Sequence, residues 1–359
     1  MPSLTMTQRP AIQGALLALL SASLFGISTP LIQYLGRAHS PWLIAALLYF
    51  GAALMGLATR APRGQEAALG LAHLPRLLLM ALFGAMLGPV LLAWGLQHTS
   101  AASASLMLTQ EAVFTALLAI LWYHEHLDRR IILAISLMTL GGLVLVFDQS
   151  QIGSVHVLGL LAVLGATLSW AIDNALSASL SHVDPSQVVI AKSTLGATCS
   201  LLITGLTGLH ISSADSSTAI RLIGLILIGA IGYGFSIRLY LLAQRSFGAA
   251  RTGSVFAAAP FLGAAAAFLM GEHHVSLWML IAAGLMASGV ILHLLERHDH
   301  EHHHPALEHE HAHSHDDGHH LHHHAPMPTG PHSHSHRHDA MTHHHPHVPD
   351  QHHQHSHDH

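Results

Sequence analysis

The run ASASLMLTQEAVFTALLAILWYHEHLDRRIILAISLMTLGGLVLVF, from Ala102 to Phe147, has a counterpart 147 residues further on. The counterpart reads AARTGSVFAAAPFLGAAAAFLMGEHHVSLWMLIAAGLMASGVILHL, from Ala249 to Leu294. Superposed, Phe114 falls on Phe261, Glu125 on Glu272, His126 on His273 and Gly142 on Gly289. Only nine of the 46 positions are identical, so the argument rests on layout rather than identity. Each copy is an apolar run, a short turn carrying Glu-His, and a second apolar run. Duplicated pairs of long apolar helices are the mark of membrane proteins built from repeats.

Composition points the same way. Half of the 359 residues are hydrophobic and 9% are charged, against about 25% charged in ordinary soluble domains. Such a chain cannot cover a water-facing surface, so most of it must face lipid. The single cysteine, Cys199, lies in an apolar run and excludes a disulfide framework. Residues 298–359 differ from the rest: they hold 27 of the 38 His, nine acids and one Arg.

Hydropathy predicts ten spans, near 12–33, 42–59, 77–97, 103–123, 131–147, 157–178, 188–208, 220–242, 252–270 and 276–295. Each is close to the roughly 20 residues needed to cross a hydrocarbon core. Each must be a helix, because lipid cannot satisfy open backbone groups. The expected class is therefore all-α and polytopic, with both termini cytoplasmic in a bacterial inner membrane. Arg9, Arg60, Arg63, Arg76, Arg129, Arg130, Arg245, Arg251 and Arg297 then lie inside, against Arg37 and Arg221 outside. Five spans per half is an odd number, so the halves, 12–147 and 157–295, are expected in opposite orientations.

Several polar groups fall where a bilayer tolerates few. Glu111 lies about 15 Å along the fourth span at 1.5 Å per residue, near the midplane. A carboxylate there is costly unless paired, protonated or facing water. It shares a helical stripe with Ser103, Met107 and Thr115, expected to face a cavity; Glu111 and Met107 are the candidate coupling and transport residues. Asp173 and Lys192 are nearly equidistant from the turn Val183-Asp184-Pro185, so an ion pair between helices six and seven is expected. A structural pair and a role in coupling both fit that geometry. His124, Glu125 and His126 at the inner face, and Glu272, His273 and His274 at the outer face, are candidate entry and exit points for a cation.

The tail has no apolar periodicity and is expected to be a disordered metal-binding segment. Its candidate ligands are His302, His303, His304, His309, His311, His313, His315, His319, His320, His322, His323, His324, His332, His334, His336, His338, His343, His344 and His345. Imidazole suits nickel, cobalt and zinc. No other cofactor is expected, and no Walker-type nucleotide motif is present.

GYGFSIRLYLLAQRSFGAARTGSVFAAAPFLGAAAAFLMGEHHVS, from Gly232 to Ser276, and ATLSWAIDNALS, from Ala166 to Ser177, resemble the EamA family of the drug/metabolite transporter superfamily. The resemblance covers about 12–295. It implies two inverted five-helix repeats, alternating access around a central cavity, and no enzyme activity. Family members export metabolites, amino acids and drugs, and one His-tailed branch exports nickel and cobalt. Val113 stands where the second repeat has Pro260, and the first turn reads His-Glu rather than Gly-Glu. The expected partners are the lipid bilayer and a small solute or metal ion, with no nucleic acid and no oligomeric state implied. Proton-coupled export of nickel or cobalt is the leading expectation. Export of an organic metabolite or amino acid, with the tail as a metal buffer, is the alternative, as is a membrane-anchored metal store or sensor that moves nothing.

Overall fold

A computed structural model describes residues 8–60, 69–123, 129–148, 154–178, 180, 183–208, 216–247, 249–273, 275–294, 299–304, 307–313, 332–338 and 341–346. His124, Glu125, His126 and His274 lie outside these residues, as do His315, His319, His320, His322, His323 and His324.

The first half consists of α1 (Gln8–Gly36), α2 (Pro41–Ala58), α3 (Leu74–Met80), α4 (Gly88–His98), α5 (Ala101–Met107), α6 (Gln110–Tyr123) and α7 (Arg129–Val146). The second consists of α8 (Ser154–Ala178), α9 (Pro185–Thr207), α10 (Ser216–Ile228), α11 (Ser236–Phe247), α12 (Ala249–Phe256), α13 (Ala259–Leu269) and α14 (Leu277–Leu294). Helix starts follow from local chemistry. Ser40 accepts from Leu43 N, with Pro41 in the first turn; Ser100 accepts from Ser103 N; Asp184 accepts from Ser186 N ahead of Pro185.

Among the described residues nine helical stretches are long and apolar enough to cross a membrane, and Leu277–Leu292 is a shorter apolar one. Their outward faces carry large apolar side chains, among them Leu206 at 87% and Leu269 at 83% exposure, which suits lipid rather than water.

Corresponding helices are interrupted in corresponding ways. Seven-residue π-helices, Ala81–Leu87 and Gly229–Phe235, join α3 to α4 and α10 to α11. Pro89 lies two residues beyond the first, and the wider turn accommodates its missing N–H. The second carries Gly229, Gly232 and Gly234 instead. The predicted fourth and ninth spans are also broken, between α5 and α6 and between α12 and α13. Pro260 explains the second break. The first forms without proline, with Thr109 Oγ1 donating to Leu106 O and Gln110 Nε2 to Met138 O, both at 2.8 Å.

α5 and α13 run antiparallel: Ala101 meets Glu272 at one end, and Ser105 packs on Gly263 further along. Gly263 also backs onto the Gly26 carbonyl, an approach between α1 and α13 that leaves no room for a side chain.

Four short strands are described within the tail. β1 (Asp299–His304) pairs antiparallel with β4 (Met341–Pro346), and β2 (Leu307–His313) with β3 (His332–His338). The reason is visible in HSHSHRH at 332–338: His alternating with other residues has the period of a strand. A search for apolar periodicity passes over it.

Candidate functional site

A chamber of about 70 Å³ lies between the halves. Phe25 of α1, Tyr49 of α2, Met80 of α3 and Glu111 of α6 line it from the first half. Trp170, Asp173, Asn174 and Ser177 of α8, Lys192 of α9, Tyr233, Tyr240 of α11 and Phe256 of α12 line it from the second.

Glu111 Oε1 accepts a 2.6 Å hydrogen bond from Asn174 Nδ2, one residue along α8 from Asp173. Lys192 Nζ is paired with Asp173 Oδ2, and both side chains are buried. α8 and α9 both pack on the first π-helix, and beside it Lys192 reaches Asp173, the pairing expected from their spacing about the Asp184 turn. With both carboxylates ionised the chamber carries two negative charges and one positive.

The Asp173 carboxylate lies against the backbone of Gly84, in the first π-helix. A Cβ at Gly84 would fall on that carboxylate, so only glycine fits. The Gly84 carbonyl accepts from Tyr49 Oη at 2.5 Å and from Trp170 Nε1 at 3.1 Å. Aromatic rings close the remaining wall: Phe25 stands 5.5 Å from each of Trp170, Tyr233 and Phe256, and Tyr240 stands 5.1 Å from Phe256.

The stripe Ser103, Met107, Glu111 and Thr115 is not continuous. Of the four, only Glu111 lines the chamber. Met107 is buried in the apolar core, Ser103 Oγ lies 3.9 Å from Met279 Sδ, and Thr115 is exposed and bonded to its own helix. The break after Met107 resets the helical phase, so spacings of four no longer share a face. The aromatic wall is what the sequence reading missed. Aromatic residues are 6% of this chain, and six of them converge here. That scarcity was the available signal.

A second, open basin of about 860 Å³ lies at the face that the Arg distribution assigns to the outside. Arg37, His98, His156 and Glu272 are among its lining residues. His156 Nδ1 lies 2.8 Å from Thr99 Oγ1, and the Ser276 hydroxyl donates to Asp148. Glu272 accepts from the backbone N–H groups of Ala101 and Ala102, at 3.0 and 2.9 Å. Both its oxygens are therefore engaged, and the His273 ring packs edge-on against Phe268. Among the described residues no three His, Cys, Asp or Glu side chains are grouped to hold a metal ion. The tail strands place His309, His311 and His313 opposite His336, His334 and His332 in backbone register.

Apolar helices long enough to span a bilayer, around a small charged chamber, define a multi-pass membrane protein. The EamA-like transporter family matches residues 12–147 and again 157–295, and the chain belongs to that family. An uncharacterized transporter of Methanothermobacter thermautotrophicus is 29% identical over 221 residues, which cover 60% of this chain. The match spans 63% of that relative's length. One solved crystal structure, described only as that of a protein, is similar with a TM-score of 0.58 and 18% identity. It covers 78% of this chain and 94% of its own, and the likeness is one of fold.

Proposed function

We propose that the chain is an inner-membrane secondary transporter that exports a small organic solute by proton-coupled alternating access. On this reading it is built from two inverted five-helix repeats with both termini in the cytoplasm. The observation that supports it is the chamber, walled by both halves and holding Glu111 and the Asp173–Lys192 pair. Rocking one half against the other would open such a chamber to one face at a time. Glu111 is held by an amide rather than by a cation, which leaves it free to exchange a proton for a solute.

Export of nickel or cobalt is a second reading, favoured by the 27 His of residues 298–359. The tail would then gather ions at the cytoplasmic mouth, with His124, Glu125 and His126 as first contacts. The organic reading stands first because the residues lining the chamber include no imidazole and no thiolate, the donors that these metals prefer.

The test is uptake into energised everted vesicles, using labelled amines, amino acids, Ni²⁺ and Co²⁺. Saturable uptake of an organic solute that collapses with the proton gradient supports the first reading. Uptake of the metals alone supports the second, and gradient-independent binding without flux refutes both.

A further inference from the structure

Two polar atoms of chamber-lining residues, Tyr233 Oη and Asp173 Oδ1, have no hydrogen-bond partner among the described residues. Tyr233 is 1% exposed and Asp173 4%. A buried polar atom without a partner is costly, and few are left in folded proteins. The neighbouring groups make the contrast plain. Tyr49 and Trp170 spend their donors on Gly84 O, Asn174 binds Glu111, and Lys192 is paired with Asp173. The buried atoms left without a partner in this site thus include a carboxylate oxygen and a phenol oxygen.

Charge and shape narrow the occupant. With Glu111 and Asp173 both ionised, two carboxylates against one ammonium leave one uncompensated negative charge. The rings of Phe25, Trp170, Tyr233 and Phe256 supply π faces that attract a cation. The chamber holds about 70 Å³. Lys192 beside Asp173 disfavours a bare divalent ion, and no imidazole is present to hold one.

We propose that Asp173 Oδ1 and Tyr233 Oη are the specificity-determining atoms of this site, and that the solute is a small organic ammonium. The carboxylate oxygen takes an N–H of the ammonium, the phenol takes or gives a second hydrogen bond, and the rings stack around the charge. The proposal rests on the transport reading of the chamber.

The experiment is calorimetric titration of the purified full-length protein with ethanolamine, glycinamide and butane-1,4-diamine. Ethylene glycol, butane-1,4-diol and propionate serve as neutral and anionic counterparts, and Ni²⁺ is titrated in parallel. Tyr233→Phe removes an atom that no described group uses, so the ligand-free variant should melt at the wild-type temperature or above it. Its affinity for the amine that binds should fall about tenfold, the loss expected for one hydrogen bond to a charged group. Equal amine affinity in wild type and Tyr233→Phe overturns the proposal. So does binding of the diols or propionate as tightly as the amines, binding of no amine at all, or Ni²⁺ affinity that drops in Tyr233→Phe. Vesicle uptake separates the two readings: flux of another solute class without amine binding removes this proposal alone. Amine binding sensitive to Tyr233→Phe but without amine flux removes the transport reading and leaves the site.

Discussion

The Glu272 carboxylate, at the end of the second half's ninth span, accepts the N–H of Ala101 at the start of the first half's fourth. A second bond, from Ala102 N, completes a cap delivered across the two halves. The positive end of a helix favours a carboxylate there. Removing it in Glu272→Ala should cost about 1–2 kcal/mol, the range of a lost cap, with Glu272→Gln intermediate because one acceptor survives. Thermal unfolding in detergent measures this. The 147-residue offset that relates Glu272 to Glu125 also relates Ala102 to Ala249, the first residue of α12. Glu125→Ala is therefore expected to cost as much as Glu272→Ala. A near-zero effect for Glu125→Ala would show that the cap is not reciprocal.

For the buried pair, Asp173→Ala and Lys192→Ala should each lose about 3–5 kcal/mol, because each strands the opposite charge in low dielectric. The double variant should recover much of that loss in membrane-inserted protein. A double-mutant cycle with no coupling term would mean that the two do not interact.

Gly84→Ala places a methyl group on the Asp173 carboxylate and disturbs the carbonyl shared by Tyr49 and Trp170. Flux should fall at least tenfold while the protein still reaches the membrane. Gly205→Ala and Gly284→Ala, which have open space around them, serve as controls and should transport normally. Wild-type flux in Gly84→Ala would remove the first π-helix from the site.

How far the sequence led is clearest at particular residues. Hydropathy located the membrane-crossing helices because lipid demands long apolar runs, and the equal spacing of Asp173 and Lys192 about the Asp184 turn anticipated their contact. Met107 was misplaced because the break before Gln110 has no Gly or Pro to announce it. Its counterpart before Pro260 was legible from the proline alone. The π-helices were invisible: their widened turns answer to packing of Gly84 and Gly229 against neighbours remote in sequence. The aromatic wall joins α1, α2, α8, α11 and α12, and no local pattern links residues so far apart.

Truncation after Arg297 should leave a working transporter, since the chamber lies wholly within 25–256. The isolated tail peptide should bind several equivalents of Ni²⁺ at pH 7.5. Binding should weaken steeply below about pH 6, as imidazoles with an ordinary pKa near 6.5 take up protons and cease to be ligands. Loss of all flux on truncation, at normal membrane levels, would make the tail part of the pathway.

On the transport reading, Glu111 exchanges protons for solute in the chamber. Everted vesicles carrying wild type or Glu111→Gln, energised to acidify their interior, test it with whichever labelled solute the wild type takes up. The account predicts that Glu111→Gln loses gradient-driven uptake by at least tenfold, yet still exchanges internal for external solute when no gradient is present. Gradient-driven uptake by Glu111→Gln at the wild-type rate, with the same dependence on pH, would contradict it.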